Sequence, residues 1–374
     1  MTLDEIRQEI DTIDAQLLPL FIERMKCAEQ VAEVKKEKNL PVFNAEREQE
    51  ILSSMEQKAG RYGAEARLLY TSLMDMSRAK QHTLLDSGSE LRSKIKAADS
   101  MVQKAKIAAC LGENGSFSQE AVSRLYPGAE PQFYDKFSEI FAAVDSGKAD
   151  LGVVPVENSA AGSVSDVYDL ILKYRFHIID AVTLHVHDCI AGAVPCAIKE
   201  IETVYSHPQA LAQCSEYIQS HGMNPVKFSS TAGAAQMVAQ WNKPGIAAIC
   251  SENAAREYGL VILEREIQDS ANNCTRFVAI SHRLVIPDGA RKISLCFSLP
   301  HQTGSLYNVL ARFAAAGLNL TKIESRPIID RNFEYDFYLD FAGSIREERT
   351  MNLILSLYDE LPRFSFLGNY TEQL

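Results

Sequence analysis

The stretch GVVPVENSAAGSV, residues 152–164, decides how the centre of this chain folds. Its first half, Gly152 to Val156, is a short apolar run of strand length. Its second half, Glu157-Asn158-Ser159 leading to Gly162-Ser163, is small and polar, the composition of a turn. Around it, residues 105–283 alternate short β-rich runs with Ala-rich helical runs, which implies an α/β architecture. Three further segments share one design of β-like run, small-residue turn and helix: IAACLGENGS (107–116), TVYSHPQ (203–209) and KFSST (227–231). Such turns present backbone N–H groups and hydroxyls at a helix N-terminus, where a carboxylate or phosphate is favoured. Each alone is a weak signal, since Ser and Thr also simply cap helices, but three in one region favour an anionic ligand held between lobes. There is no Walker A pattern, and Gly112-x-x-Gly115 lacks the dinucleotide fingerprint, which argues against nucleotide binding.

Toward the N-terminus, residues 1–85 read as all-helical. Leu3, Ile6, Ile10, Ile13, Leu17, Phe21 and Val31 fall within one helical arc of about 100°. Arg24 and Lys35 lie near the middle of that apolar arc, and Arg7 lies at its edge. Cations on a face destined for burial require partners, so two of them point to an anion site. The pattern runs from 3 to 38, about 54 Å of helix, and continues past Pro19. A stripe that long must be covered by other helices, and a second copy of the chain is the expected source. Arg7 and Arg24 are about 25 Å apart by the same rise, so one small ligand can meet both only if Arg7 comes from a partner. Asn44 is placed to cap a second helix, and a third, near 64–85, carries Ser77-Arg-Ala-Lys-Gln81.

Toward the C-terminus, residues 292–370 read β-α-β-β-α-β, the order of a ferredoxin-like α/β sandwich. Residues 86–104 are small and polar and read as a linker, and 284–291 (LVIPDGAR) as a Pro/Gly break. The expected division is therefore 1–88, 105–283 and 292–374.

Composition bounds the function. The 374 residues are 46% apolar and 23% charged, with a net charge of −11, so a global nucleic-acid footprint is absent. No apolar run approaches the ~20 residues of a membrane span, and MTLDEIRQEI lacks the layout of a signal peptide. Eight scattered cysteines without a Cys-x-x-Cys pair read as reduced thiols of a cytoplasmic protein. His185 and His187 have no clustered acidic or thiol partner, and neither a metal nor a cofactor is expected.

The helical residues carry a resemblance. Arg7, Arg24, Lys35, Asn44-x-x-Arg47-Glu48 and Gln81 occur in an order similar to the all-helical chorismate mutase family, which forms intertwined homodimers. The resemblance implies that Arg24, Arg47 and a partner's Arg7 grip the two carboxylates of chorismate. It places Lys35 and Gln81 on the ether oxygen and Glu48 on the ring hydroxyl, and gives Asn44 a place where some members have Asp. A Claisen rearrangement needs a compact substrate conformer and positive charge at the breaking C–O bond, with no nucleophile. GVVPVENS, SHPQALAQC (206–214) and Asn273-x-Thr275-Arg276-Phe277 closely resemble prephenate dehydratase over nearly the whole central region. That family has two α/β lobes around a cleft, like a periplasmic binding protein. By resemblance Thr275 is the donor near the leaving hydroxyl. Glu157, Asn158, Ser159, Ser206, Gln213, Ser230, Thr231 and Arg276 are candidates for orienting prephenate, with Arg276 equally readable as a structural ion-pair residue. Glu113 departs from the family's usual proline in that turn.

Thr303-Gly304-Ser305-Leu306 and Glu324-Ser325-Arg326 resemble the ACT regulatory domain, which binds phenylalanine. The combined expectation is a bifunctional chorismate mutase–prephenate dehydratase, dimeric or tetrameric, converting chorismate to prephenate and prephenate to phenylpyruvate under phenylalanine feedback. The alternative is a two-lobed amino-acid or solute-sensing protein without catalysis.

Overall fold

Helix α1 (Leu3–Lys38) runs for 36 residues through Pro19. Thr2 and Glu5 form a capping box at its start, Asn39 closes it in the left-handed region, and Lys35, Lys36 and Lys38 sit in its last turn, where the helix dipole favours cations. Pro19 removes one backbone bond, yet the amphipathic pattern on either side carries the helix on. The apolar stripe stays uncovered within the chain: Leu3, Ile6, Ile10, Ile13 and Leu17 are all exposed. α2 (Ala45–Ala59) starts at Asn44, whose side chain accepts from the Arg47 N–H. α3 (Gly63–Leu84) packs against both α1 and α2.

The computed structural model describes the chain apart from residues 86, 102–104, 271, 329, 330, 332, 333 and 374. It divides into two units, residues 1–97 with 293–366, and 98–292 with 367–374. The linker reading of 86–104 is corrected where the chain is described. α4 (Ser89–Lys96) buries Leu91 and Ile95, the Gly88 N–H donates to Asp359, and the Tyr358 hydroxyl bonds Glu90. Two apolar residues spaced i, i+4 in a charged octet are too few to show as a stripe.

In the second unit, β1 (Ile107–Leu111), α5 (Phe117–Leu125), β2 (Glu130–Tyr134), α6 (Phe137–Asp145) and β3 (Leu151–Asn158) open the first lobe. The short β4 (Gly162–Ser163) folds back on β3, then α7 (Ser165–Tyr174) and β5 (His177–His185) follow. The chain crosses to a second lobe of β6 (Cys189–Gly192), β7 (Thr203–Ser206), α8 (Pro208–Gln213), α9 (Ser215–Ser220), β8 (Asn224–Lys227), α10 (Thr231–Trp241), β9 (Ile246–Cys250), α11 (Glu252–Glu257) and β10 (Val261–Glu264). It then returns as β11 (Cys274–Ser281) between β5 and β3. The first sheet is ordered β16 (Glu372–Gln373)-β5-β11-β3-β1-β2 and the second β10-β6-β9-β7-β8. Two crossings between separate sheets make two lobes joined by a hinge, each with its own core of small residues such as Ala108, Val153 and Ala279 in one and Ala234, Ala248 and Val238 in the other. The break at 284–291 is held in this unit, with Val285 and Ile286 buried and the Ile286 N–H donating to the Asp99 carbonyl.

The C-terminal segment is β12 (Lys292–Ser298), α12 (Ser305–Ala315), β13 (Asn319–Pro327), β14 (Tyr335–Ala342), α13 (Glu348–Glu360) and β15 (Ser365–Tyr370). The strand order β13-β14-β12-β15 is that of a ferredoxin-like sandwich. The final β16 (Glu372–Gln373) pairs in parallel with β5. No described helix is long and apolar enough to cross a membrane.

Candidate active sites

The helical region gathers four of the residues named from the sequence. Arg24 donates from Nη1 to the Leu73 carbonyl at 2.9 Å and to Ser77 Oγ at 2.6 Å. One turn along α3 from Ser77, Gln81 is buried with its Oε1 unpartnered. Lys35 donates to the Val42 carbonyl, and Glu48, in the first turn of α2, pairs with Arg78. Burial lowers the pKa of the Lys35 ammonium; Glu48 opposes that and Arg78 adds to it, so these three groups share one field. Two cations stay apart from the group. Arg7 is exposed and pairs with Asp4 at 3.4 Å, and Arg47 is exposed and pairs with Glu50 at 3.0 Å. The Asn44 side chain is occupied in capping α2. Sequence reasoning passed over Ser77 and Arg78. Ser77 carried a signal, because it precedes Gln81 by four residues and so shares its helix face. Arg78 carried none, because Glu48 and Glu360 are remote in sequence and Asp75, three residues before it, reads as an ordinary pair along a helix.

In the two-lobed region, β3 and β11 run antiparallel with Asn158 opposite Thr275. The Asn158 carbonyl oxygen accepts from the N–H groups of Ala160 and Ala161, at 3.0 and 2.9 Å. That fixes its amide, whose NH2 donates to Thr275 Oγ1 at 2.8 Å and to Asn273 Oδ1 at 2.9 Å. Thr275 Oγ1 is therefore an acceptor toward Asn158, which frees its own proton for another partner. Asn273 donates in turn to Gln213 Oε1 at 3.0 Å, and Gln209 Nε2 lies 3.5 Å from Asn158 Oδ1. The polar line Thr275–Asn158–Asn273–Gln213 so joins one lobe to the other.

The three helix-start turns differ in detail. Ser230 caps α10 through the Gly233 N–H at 2.8 Å, Thr231 begins that helix, and Ser116 caps α5. At α8 the cap is His207 Nδ1, and burial lowers the pKa of that ring. Ser206 is fully buried and donates to the Ile249 carbonyl at 2.6 Å, so its hydroxyl is turned into the strand layer. Ser159 bonds the backbone of β11 and its approach, donating to the Asn272 carbonyl and accepting from the Cys274 N–H. Arg276 lies 3.0 Å from Glu157 and 2.7 Å from Glu372, and Glu372 lies 2.6 Å from Lys292. Of the two readings of Arg276, the ion-pair one has partners in hand. Glu113 reaches across the cleft: its carboxylate accepts from Ser230 Oγ at 3.3 Å and lies against Gly233 in the first turn of α10.

In the C-terminal segment a cavity of about 390 Å³ opens beside the start of α12, lined by His301, Thr303, Ser305, Leu306, Tyr335 and Phe337. Gly304, at φ +85°, caps α12. Glu324 pairs with Lys322 on β13, which also carries Ser325 and Arg326. No group of three or more potential metal ligands occurs among the described residues.

The family model for prephenate dehydratase matches residues 108–284, and that for chorismate mutase type II matches residues 6–82. A bifunctional chorismate mutase/prephenate dehydratase of Aquifex aeolicus is 34% identical over 100% of this chain and 98% of its own length. The chain belongs to the bifunctional chorismate mutase/prephenate dehydratase family. It carries both activities, an isomerase that converts chorismate to prephenate and a lyase that converts prephenate to phenylpyruvate, two steps of phenylalanine biosynthesis. An arogenate dehydratase/prephenate dehydratase of Arabidopsis thaliana is 40% identical over 69% of this chain and 67% of its own. A prephenate dehydratase of Arthrobacter aurescens, solved in complex with L-Phe, superposes with a TM-score of 0.65 at 29% identity, covering 71% of this chain and 89% of that one. The two-lobed fold is thus that of the dehydratase.

Proposed function

We propose that three parts of the chain, residues 1–88, 105–283 and 292–374, act as mutase, dehydratase and ACT regulatory domain of a cytoplasmic enzyme. In the mutase, Arg24, Arg47 and Arg7 of a second copy bind the two carboxylates of chorismate. Lys35 and Gln81 donate to the ether oxygen, where negative charge grows as the C–O bond breaks. Glu48 accepts the ring hydroxyl, and Asn44 shapes the α2 terminus. The uncovered stripe of α1 and the separation of Arg7 from Arg24 support an intertwined homodimer.

In the dehydratase, prephenate enters the cleft with its carboxylates toward Ser230 and Thr231 and toward Gln213 and Ser159. Thr275 hydrogen-bonds the departing ring hydroxyl as a positioned donor or relay, loss of CO2 supplies the electron pair, and aromatisation drives the step. Asn158 and Glu157 position the wall around Thr275, with Arg276 bracing Glu157. The observation that carries this reading is the fixed Asn158 amide, which leaves Thr275 as the donor. Ser206 takes no direct part, since it is fully buried with its hydroxyl turned into the strand layer.

Phenylalanine binds the third part, with Gly304, Ser305 and Leu306 around its carboxylate and Glu324, Ser325 and Arg326 completing the effector site in the assembly. The two-active-site reading is tested by Lys35→Ala and Thr275→Ala. The first is expected to abolish chorismate consumption and spare phenylpyruvate formation from prephenate, and the second to do the reverse. Equal loss of both activities in either variant contradicts it. Phenylalanine is expected to slow the dehydratase, and a Gly304→Leu chain that stays fully sensitive contradicts the effector site.

A further inference from the structure

Between α3 and the C-terminal helices of the same unit lies a buried set of charges that, Glu48 apart, the reaction scheme above leaves unused. Arg78 stands at its centre, with its side chain only 12% exposed. Its Nη1 pairs with Glu48 and its Nη2 with Asp75, while Nε lies 3.4 Å from Glu360 Oε2 on α13. The guanidinium also covers the Phe43 ring, 5.3 Å from its centroid. Glu360 is held in turn by Arg312 of α12 at 2.9 Å and by His82 Nε2 at 2.7 Å, and Arg312 donates to Ser356 at 2.5 Å. A rigid planar fork engaged by three carboxylates has little freedom to turn. Arg78 donates to the Oε2 of Glu48, and so fixes that carboxylate.

Stability alone is a weak reason for such a cluster, because buried ion pairs roughly break even against apolar packing. A geometric task is a better one. Glu48 must hold one orientation beside a dianionic substrate, and a neighbouring guanidinium engaged by other carboxylates serves that need.

We propose that Arg78, anchored by Glu360 and Arg312 of the C-terminal region, is a positioning residue of the mutase, holding the Glu48 carboxylate where it receives the ring hydroxyl. The mutase site of this chain is then completed by helices from the far end of the sequence. The inference rests on the reading of Glu48 as the ring-hydroxyl acceptor.

The test uses the full chain, whose dehydratase activity reports folding of the same molecule. Arg78→Met, Glu360→Gln and Glu48→Gln are assayed singly, and the first two also in the Glu48→Gln background. Arg78→Met and Glu360→Gln are each expected to raise the KM for chorismate about tenfold with kcat within about threefold, since a contact held in ground and transition states alike shows mainly in KM. Both are expected to leave prephenate turnover unchanged, and to lose their effect once Glu48 is Gln, the non-additivity of groups acting through one another. Full additivity in that background overturns the proposal. Because removal of one buried partner can also unfold the region, Arg78→Lys is assayed beside them. It keeps the charge but cannot fork, so the KM is expected to rise, and a parental KM overturns the proposal. Glu48→Gln with parental chorismate kinetics overturns the Glu48 reading and the proposal together. A Glu48→Gln loss beside unaffected Arg78 variants overturns the proposal alone.

Discussion

Gly115 of the first lobe lies against Ala254 of the second, and its replacement by Ala is a sharp test of that contact across the cleft. A Cβ at this position would stand 2.5 Å from the Ala254 Cα and 2.9 Å from the Ala254 N, both backbone atoms. The Ser251 hydroxyl already donates to the Gly115 carbonyl at 2.8 Å and caps α11, so the contact is tied from both sides. An ordinary carbon contact is about 3.5–4.0 Å, so the lobes must separate there by about 1 Å or more. The residue also sits at φ +81°, which costs a side chain about 1–2 kcal/mol. Overpacking adds about 1–3 kcal/mol. The overpacking part, roughly 1–3 kcal/mol, is relieved most cheaply by opening the cleft, since Ala254 belongs to the other lobe. At the lower bound that is about a fivefold loss in kcat/KM for prephenate. Phenylpyruvate formation measures it, with chorismate consumption as the control. Gly128→Ala separates the two terms: its φ is +96°, but nothing lies within 4 Å of the added carbon, so it should lower the Tm slightly and spare turnover. A Gly115→Ala enzyme whose dehydratase kcat/KM stays within threefold of the parent would refute the closed-lobe geometry.

Three further outcomes are expected. Chains bearing Arg7→Ala and chains bearing Arg24→Ala, each inactive as mutases, should regain part of that activity when mixed, because heterodimers restore one intact site; no recovery in proven heterodimers would rule out sharing of Arg7. Glu113→Gln removes a negative charge lying at the start of α10, where a substrate carboxylate is to bind, so the KM for prephenate should fall severalfold, and an unchanged KM would place the substrate elsewhere. Burial raises the pKa of Glu360, but His82, Arg312 and Arg78 outweigh it and hold the carboxyl at about 2 against 4.5 for an ordinary glutamate. A depressed folded pKa gives stability that is complete above about pH 4.5 and lost as the pH falls toward 2, worth about 3 kcal/mol. Acid unfolding of parent and Glu360→Gln, followed by circular dichroism at α-helical wavelengths, should show curves that converge over that range, and a gap independent of pH would exclude the ion network as the cause.

Much of the architecture was legible because it rests on local periodicity. The apolar arc of α1 predicts 3–38 and the helix is Leu3–Lys38, since a strict 3.6-residue pattern with a capping box at one end and lysines at the other admits little else. The β-α-β-β-α-β reading of 292–370 appears element by element for the same reason. The reading failed at 89–96, where Leu91 and Ile95 are the only apolar signal in a helix that is stable because α13 covers it. It also passed over Arg78. An arginine next to a predicted site on a helix looks like a solvated charge until the elements that bury it are known.

Within the sites the division is similar. The sequence alone determined which residue types were available: cations on an apolar face, Asn158 at a strand end, Thr275 beside Arg276. Only the tertiary structure decided their states, because hydrogen-bond direction and ion pairing depend on groups brought together from distant positions. Asn158 becomes a donor to Thr275 through two backbone N–H groups that fix its amide. Arg276 becomes part of an ion network through Glu372, near the other end of the chain. Glu48 acquires an orientation through Arg78 and Glu360. A side chain's identity is local, but its charge state, rotamer and free lone pairs are set by its neighbours, and those are assigned only when the chain folds.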